Sequence, residues 1–191
     1  MSDDADLVRQ CLKRDPAAVR RLVERFQSDV FGLCVRMLSN RHDAEDVSQE
    51  VFLRIFRSLH RWDQLRPLRP WVMGITVNRC RTWLTQRAKR PELSDNLQES
   101  AESRNQDESG ELKREIAAAV AALRSDYRAA FVMFHEQSQP YEEIAEALGR
   151  PVGTIKTWLH RARTEILKRL RERGMVSHDD ATATPSQQTK H

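Results

Sequence analysis

The sequence predicts an all-α protein made of two small helical domains that are joined by a flexible acidic linker. Three observations support this prediction. Apolar residues recur at helical spacing through most of the chain, and no stretch of useful length alternates as a β-strand would. A polar, acidic stretch without that spacing separates the two helical parts. We expect domains at residues 1–91 and 111–174, a linker at 92–110 and a disordered tail at 175–191.

The first domain is expected to begin with two helices. A short helix covers Asp3 to Arg14, and Asp15 with Pro16 then supplies a capping carboxylate and a first-turn proline for the next. That second helix runs to about Leu38, and residues 39–42 form a turn. The first helix turns four apolar side chains inward: Leu7, Val8, Cys11 and Leu12.

A third helix is expected to open at Asp43, with acidic residues in and beyond its first turn. Acids there favour the positive end of the helix dipole, which explains Asp43, Glu45 and Asp46 without any function. That explanation is weaker for Glu50, which lies beyond the first turn. Residues 61–69 contain no helical period and are predicted to form an ordered loop, after which Pro70 starts a fourth helix.

Aromatic and basic residues interleave in this loop and helix. Stacking surfaces in a cationic groove are what single-stranded nucleic acid needs, because each nucleotide offers a flat base and a phosphate. The alternative is that the tryptophans are core residues, and for Trp71 and Trp83 both interpretations stay open. The interleaved residues are Trp62, Trp71, Trp83, Arg66, Arg69, Arg79, Arg81, Arg87, Lys89 and Arg90.

The second domain is predicted to contain two helices followed by a helix-turn-helix. The helices start at Glu111 and Ser125, and the motif covers YEEIAEALGRPVGTIKTWLHRAR from Tyr141 to Arg163. Gly149 stands where a helix needs a left-handed end, and Pro151 suits the first turn of the next helix. The buried face of that last helix is expected to comprise Ile155, Leu159, Ala162 and Ile166. Its polar face then suits the major groove of duplex DNA.

Charge is strongly segregated although the net charge is only +4. Residues 79–90 hold five Lys or Arg and no acid, residues 150–173 hold eight against two acids, and residues 92–111 hold seven acids against one base. Two basic blocks around an acidic spacer indicate two contacts with a polyanion. The three cysteines have no metal-site or redox spacing, so we expect buried free thiols. No long apolar run or secretory signal is present, which predicts a cytoplasmic protein.

Together, these stretches resemble the extracytoplasmic-function (ECF) group of bacterial sigma factors. The resemblance covers roughly residues 5–173 and includes DAEDVSQEVFLRIF, WVMGITVNRCRTWL, the acidic spacer and the helix-turn-helix, in that order. It implies a subunit that binds core RNA polymerase and directs it to promoters. It also implies two domains, called regions 2 and 4, and control by an anti-sigma factor that is typically membrane-bound.

The resemblance further implies a role for particular residues. The third helix would dock on the clamp helices of the largest polymerase subunit through Asp43, Asp46, Gln49, Glu50, Phe52 and Arg54. The loop and fourth helix would capture the melted minus-ten element through Trp62, Arg66, Arg69, Trp71, Asn78, Arg79 and Arg81. The last helix and its surroundings would read the duplex minus-thirty-five element and its phosphates through Arg128, Lys156, Thr157, His160, Arg161 and Arg163. The beta flap of the polymerase is the further partner expected.

Two other classes of function are alternatives. A dimeric helix-turn-helix regulator explains residues 112–173 but gives the acidic helix and the Trp/Arg helix no purpose. A nuclease-like enzyme would use the acids at 43, 45, 46 and 50 as metal ligands, but no His, Cys, Gly-rich phosphate loop or nucleophile–base pair accompanies them. We therefore expect neither catalysis nor a metal or cofactor.

Overall fold

A computed structural model describes residues 3–89 and 108–175, and every regular element in these two ranges is helical. The all-α prediction is therefore confirmed. Within the same two ranges, no helix is long and apolar enough to cross a membrane. The helices are α1 Asp3–Leu12, α2 Pro16–Leu38, α3 Arg41–Ser58, α4 Leu68–Ala88, α5 Glu108–Ala121, α6 Ser125–His135, α7 Tyr141–Leu148 and α8 Val152–Glu172, with a short 3₁₀ turn at Leu59–Arg61.

Local capping sets the start of α2 and α3. The Asp15 carboxylate accepts a hydrogen bond of 2.9 Å from the Ala17 amide, and Pro16 occupies the first helical position, as predicted. The third helix begins at Arg41, two residues before the predicted Asp43. The reason is that Asn40 is extended and its side-chain oxygen accepts a hydrogen bond of 3.0 Å from the Asp43 amide.

The first helical unit, α1 to α4, is organised around α2, which packs against α1, α3 and α4. Its apolar stripe is fully buried at Leu22, Val30 and Leu33, among others. The three cysteines are free and buried, as predicted. Leu12 was expected to point inward, but it is 49% exposed because α1 ends there and its other apolar side chains already cover α2.

The fourth helix starts at Leu68 rather than at the predicted Pro70. Leu68 is completely buried, and its amide donates a hydrogen bond of 3.2 Å to the Asp4 carboxylate at the start of α1. Pro70 then falls at the third helical position, where its missing N–H leaves no helical hydrogen bond unmade. A tertiary contact with α1 therefore sets this boundary.

The second helical unit comprises α5 to α8. Gly149 ends α7 with φ +61°, and its amide bonds to the carbonyls of Ala145 and Glu146, as predicted for a left-handed cap. Pro151 lies just before α8 rather than in its first turn, and its carbonyl accepts the first helical bonds from Thr154 and Ile155. The predicted buried face of α8, including Ile155 and Ala162, is confirmed.

The two helical units are in contact, because α7 packs on α4 and α6 packs on α2. The fifth helix starts at Glu108, three residues before the predicted Glu111. The predicted linker at 92–110 and the predicted tail at 175–191 lie outside the described residues, apart from 108–110 and Met175.

The Gly149→Ala variant should unfold at lower urea concentration than the wild type. A Cβ atom in the left-handed region costs roughly 1–2 kcal/mol. Gly153→Ala is the matched control, because Gly153 lies in the first turn of α8 with no atom within 4 Å of the added Cβ. Unfolding is monitored by the circular dichroism of the helices at 222 nm. Equal urea midpoints for the two variants would contradict the prediction that the Gly149 cap requires a left-handed residue.

Candidate nucleic-acid and protein interfaces

One side of α3 presents a narrow strip of exposed side chains to solvent. Asp46, Gln49 and Leu53 are exposed, and at about 100° per residue they lie within an arc of about 60°. Leu53 is 56% exposed, which is unusual for an apolar residue of its size in this protein. Sequence reasoning missed Leu53, although its position outside the buried stripe of α3 was a readable signal.

Two other acids of α3 are bound to α4 instead of being free. Arg79 Nε lies 2.5 Å from Glu50 Oε2, and Arg87 Nη1 lies 2.5 Å from Asp43 Oδ2. The Arg79 guanidinium is only 8% exposed, and its hydrogen bond holds the pKa of Glu50 below its usual value. Among the described residues, no group of three or more His, Cys, Asp or Glu side chains is placed to hold a metal ion.

The remaining two predicted polymerase-binding residues, Phe52 and Arg54, point in different directions from α3. Phe52 is half-buried and packs against the core, whereas Arg54 is exposed. Helical geometry separates their directions by about 160°. The six predicted residues therefore do not form a single patch: Asp46 and Gln49 lie on the exposed strip, Asp43, Glu50 and Arg54 lie on one flank of α3, and Phe52 faces the core.

Another set of predicted residues shares one face of α4. Trp71, Asn78 and Arg81 lie on this face, with Gly74 at its centre, at spacings of three and four residues. Asn78 is exposed, whereas Trp71 is half-buried against the core. The structure thus brings an indole, an amide and a guanidinium to one surface.

The loop before α4 is anchored by Trp62, which is 6% exposed and belongs to the core. In the described part of the chain its indole nitrogen has no hydrogen-bond partner. Asp63 organises the tip, since its carboxylate accepts from the Leu65 amide at 3.0 Å and its carbonyl accepts from the Arg66 amide at 3.0 Å. Leu65 is 94% exposed at this tip.

Three arginines predicted to contact DNA through the loop and α4 face the second helical unit. Arg81 Nη2 lies 2.5 Å from Asp126 Oδ1, and Arg66 Nη1 lies 3.7 Å from Glu146 Oε1. Arg69 Nη2 donates at 3.1 Å to the Gln137 carbonyl and also pairs with Asp29 of α2 at 3.0 Å. These side chains are therefore engaged by α6, α7 and the segment between them.

The outward face of α8 carries the predicted duplex-reading residues. Lys156, His160 and Arg163 fall within an arc of about 60° and are exposed, with Thr157 beside them. Arg161 lies about 140° from Lys156 around the helix, and its Nη1 donates a 3.1 Å hydrogen bond to the Tyr127 hydroxyl. That hydrogen bond raises the pKa of Arg161 and orients its guanidinium along α6.

Arg163 and Arg128 are held differently. Arg163 Nε donates to His135 Nε2 at 3.2 Å, and burial together with the Arg163 charge lowers the pKa of His135. Arg128 is partly buried, and burial lowers its pKa. It donates to three backbone carbonyls, those of Met37 at 2.7 Å, Leu123 at 3.0 Å and Ala121.

Both helical units match known protein families. Residues 22–90 match the family Sigma-70 region 2, and residues 113–166 match the family Sigma-70, region 4. The first match contains α3, the loop and α4, and the second contains the helix-turn-helix of α7 and α8. The class of protein that this pair of regions defines is the sigma factor.

Full-length relatives narrow the class. The chain is 32% identical over 176 residues to the ECF RNA polymerase sigma-E factor of Haemophilus influenzae, covering 85% of this chain and 93% of that protein. It is 32% identical over 180 residues to the RNA polymerase sigma-H factor of Pseudomonas aeruginosa, covering 87% and 93%. The chain therefore belongs to the ECF sigma factors, which bind core RNA polymerase and direct it to promoters.

Two solved structures share the fold. CnrH in complex with the cytosolic domain of CnrY superposes with a TM-score of 0.67 and 24% identity, covering 90% of this chain and 99% of that one. The sigma factor RpoE from Bartonella quintana, in complex with the anti-sigma factor NepR, gives a TM-score of 0.64 and 20% identity, covering 80% and 96%. Both support the all-α fold described above.

The Glu50→Gln variant should be less stable than the wild type by about 1 kcal/mol near neutral pH, because buried Arg79 loses its charged partner. Since Arg79 lowers the folded-state pKa of Glu50, this contribution is present above the unfolded pKa and disappears as the pH falls through the folded pKa. Urea unfolding of the wild type and the variant at about pH 7 and about pH 3 measures the loss of stability and its dependence on pH. Asp46→Asn is the control, since Asp46 is 65% exposed. Equal losses at both pH values would refute this role.

Proposed function

We propose that the two helical units divide promoter recognition between opened and paired DNA, with region 2 at residues 1–91 and region 4 at residues 111–174. The observation that supports this division is the placement of two different polar surfaces on two units. The α4 face combines an indole, an amide and a guanidinium, which suits extruded bases. The α8 face carries short polar and basic side chains on a helix, which suits the major groove.

The exposed strip of α3 is the proposed docking surface for the polymerase clamp helices. Asp46 and Gln49 offer charge and hydrogen bonds at its rim, and Leu53 offers an apolar contact between them. Asp43 and Glu50 act chiefly by fastening α4 to the back of this strip through Arg87 and Arg79. Polymerase bound to α3 would thereby hold α4 at a fixed place over the opened template.

On α4, Asn78 is proposed to read an extruded base of the minus-ten element. Its side-chain amide carries both a donor and acceptors, so it distinguishes one base edge from another. Trp71 provides a flat surface nearby, and Arg66, Arg69 and Arg81 provide cations for the phosphates. Extrusion costs a few kcal/mol, which stacking and the fitted contacts offset. Trp62 and Arg79 contribute from the core by fixing the loop and the helix.

On α8, Lys156, Thr157 and His160 are proposed to face the bases of the minus-thirty-five element. Arg163 supplies a phosphate contact. Arg161, which the Tyr127 hydroxyl holds in place beside Thr157, supplies a further base contact. Arg128 would reach a phosphate only after releasing its three carbonyl partners, so in the described conformation it acts by positioning α6.

Control by an anti-sigma factor is proposed from the two solved structures that share the fold and from the family resemblance.

 The RpoE neighbour is bound to an anti-sigma factor, and the CnrH neighbour is bound to the cytosolic domain of a second protein. We propose a partner of the same kind here, membrane-bound as is typical of the family, which covers the polymerase-binding surface. The chain itself would act in the cytoplasm without catalysis, cofactor or metal.

Run-off transcription with purified core polymerase tests the proposed function, using promoters with an intact or a scrambled minus-thirty-five element. Arg161→Ala should lose about 1–3 kcal/mol of the advantage of the intact element, the usual scale of a specific base contact. Lys168→Ala is the control, because Lys168 lies farther along α8 and is well exposed. If wild-type protein yields no promoter-dependent transcript, the function is wrong; if only Arg161→Ala is unchanged, that residue leaves the reading surface.

Asp46→Arg should weaken binding to core polymerase at least tenfold, because it reverses the charge that Asp46 offers at the rim of the α3 strip. The matched control is Glu24→Arg, which makes the same charge change on an exposed position of α2. Fluorescence anisotropy with labelled protein and purified core enzyme measures both affinities. Equal affinities of the two variants for core enzyme would rule out the α3 strip as the docking surface.

A further inference from the structure

The region 4 side of the contact between the two helical units is acidic where the region 2 side is basic. Asp126 lies in α6, Glu136 is the residue after α6, and Glu146 lies in α7. Each pairs with an arginine of the first unit. The partners are Arg81 at 2.5 Å, Arg36 at 2.8 Å and Arg66 at 3.7 Å. The carboxylates of Asp126 and Glu146 therefore lie beside two of the arginines that the proposed function assigns to phosphates.

Backbone packing reinforces this arrangement on the same face of α4. A Cβ atom built on Gly74 would lie 2.8 Å from the Ala147 carbonyl oxygen of α7, closer than Cβ atoms approach backbone oxygens. Only glycine allows α7 to sit at this distance. Because Gly74 lies between Trp71 and Asn78 on the proposed base-reading face, α7 occupies space beside both residues.

The closed arrangement is incompatible with reading both promoter elements at once. The two elements are about 25 base pairs apart, or roughly 85 Å along B-form DNA at about 3.4 Å per base pair. The longest helices of the two units, at 21–23 residues, are only about 30–35 Å long. Residues 90–107 join the units and can reach at most about 65 Å when fully extended, which permits separation.

We propose that region 4 acts as an intramolecular competitor of DNA for the minus-ten-reading face of region 2. In the closed state the Asp126 and Glu146 carboxylates neutralise Arg81 and Arg66, and α7 covers the surface around Gly74. Opening releases both the arginines and the α4 face together. This inference rests on the proposed role of the α4 face, but the closure itself depends on neither polymerase nor DNA.

Gly74→Ala is the sharpest test, because it pushes α7 away while improving the intrinsic helix propensity of α4. Gly32→Ala is the matched control, a helical glycine of α2 with no atom within 4 Å of the added Cβ. Spin labels at Gln27→Cys in α2 and Lys168→Cys in α8 report the distance between the units, since the three native cysteines are buried. We expect longer, broader distances for Gly74→Ala only; identical distributions for both variants overturn the inference.

Binding of a single-stranded minus-ten oligonucleotide to the free protein tests whether closure masks the face. Gly74→Ala should bind at least about threefold more tightly than Gly32→Ala, because the competent state is more populated. Asp126→Asn, which removes the charge opposite Arg81 without changing volume, should act in the same direction. If all variants bind the oligonucleotide equally, or if none binds it, the inference that region 4 masks the α4 face is wrong. If the wild type supports no run-off transcription, the proposed function is wrong, but the spin-label distances between the two units still test the closed state.

Discussion

The hydrogen-bonded ion pair between Arg79 and Glu50 is the interaction on which the geometry of the first unit depends. It joins α3 to α4 at 2.5 Å, and its guanidinium is nearly buried while its carboxylate remains half exposed. A buried arginine requires such a partner, because an unpaired charge in a core is strongly destabilising. The same pair sets the angle between the exposed strip of α3 and the reading face of α4. The proposed polymerase-docking surface and the proposed base-reading surface are thereby carried by neighbouring helices that one ion pair joins.

The ion pairs between the two units differ from the Arg79–Glu50 pair, because they lie near the surface. Such pairs contribute about 0–1 kcal/mol each and weaken further as salt screens them. The contact that Gly74 permits adds apolar burial and backbone packing between α4 and α7. In the proposed mechanism, the polymerase must offset both the ion pairs and this packing to separate the two units.

Most elements governed by local chemistry were predicted from the sequence, although the Asn40 cap at the start of α3 was missed. The elements governed by tertiary contacts were missed. Gly149 and the Asp15–Pro16 restart were predicted because a left-handed cap and a capped first turn need particular residues. The start of α4 was predicted two residues late, because a distant Asp4 carboxylate and the burial of Leu68 decide it. For the same reason, composition could not reveal that Arg79 is buried against Glu50 or that Arg81 meets Asp126, which is 45 residues away along the chain.

In the proposal, Arg66 and Arg81 pair either with carboxylates of the second unit in the closed state or with DNA phosphates in the open state. The protein is then in equilibrium between these two states. A shift from mostly closed to mostly open, from about 1:99 to 99:1, requires roughly 5.5 kcal/mol of preferential binding to the open state. A polymerase that holds the units apart can supply this through large protein interfaces, whereas a short DNA segment that meets only Arg66 and Arg81 supplies less. The proposal therefore predicts an order of events, in which the polymerase opens the molecule first and the exposed α4 face then meets DNA. In this mechanism, Asp126 and Glu146 of the second unit would suppress promiscuous binding of the free protein to single strands.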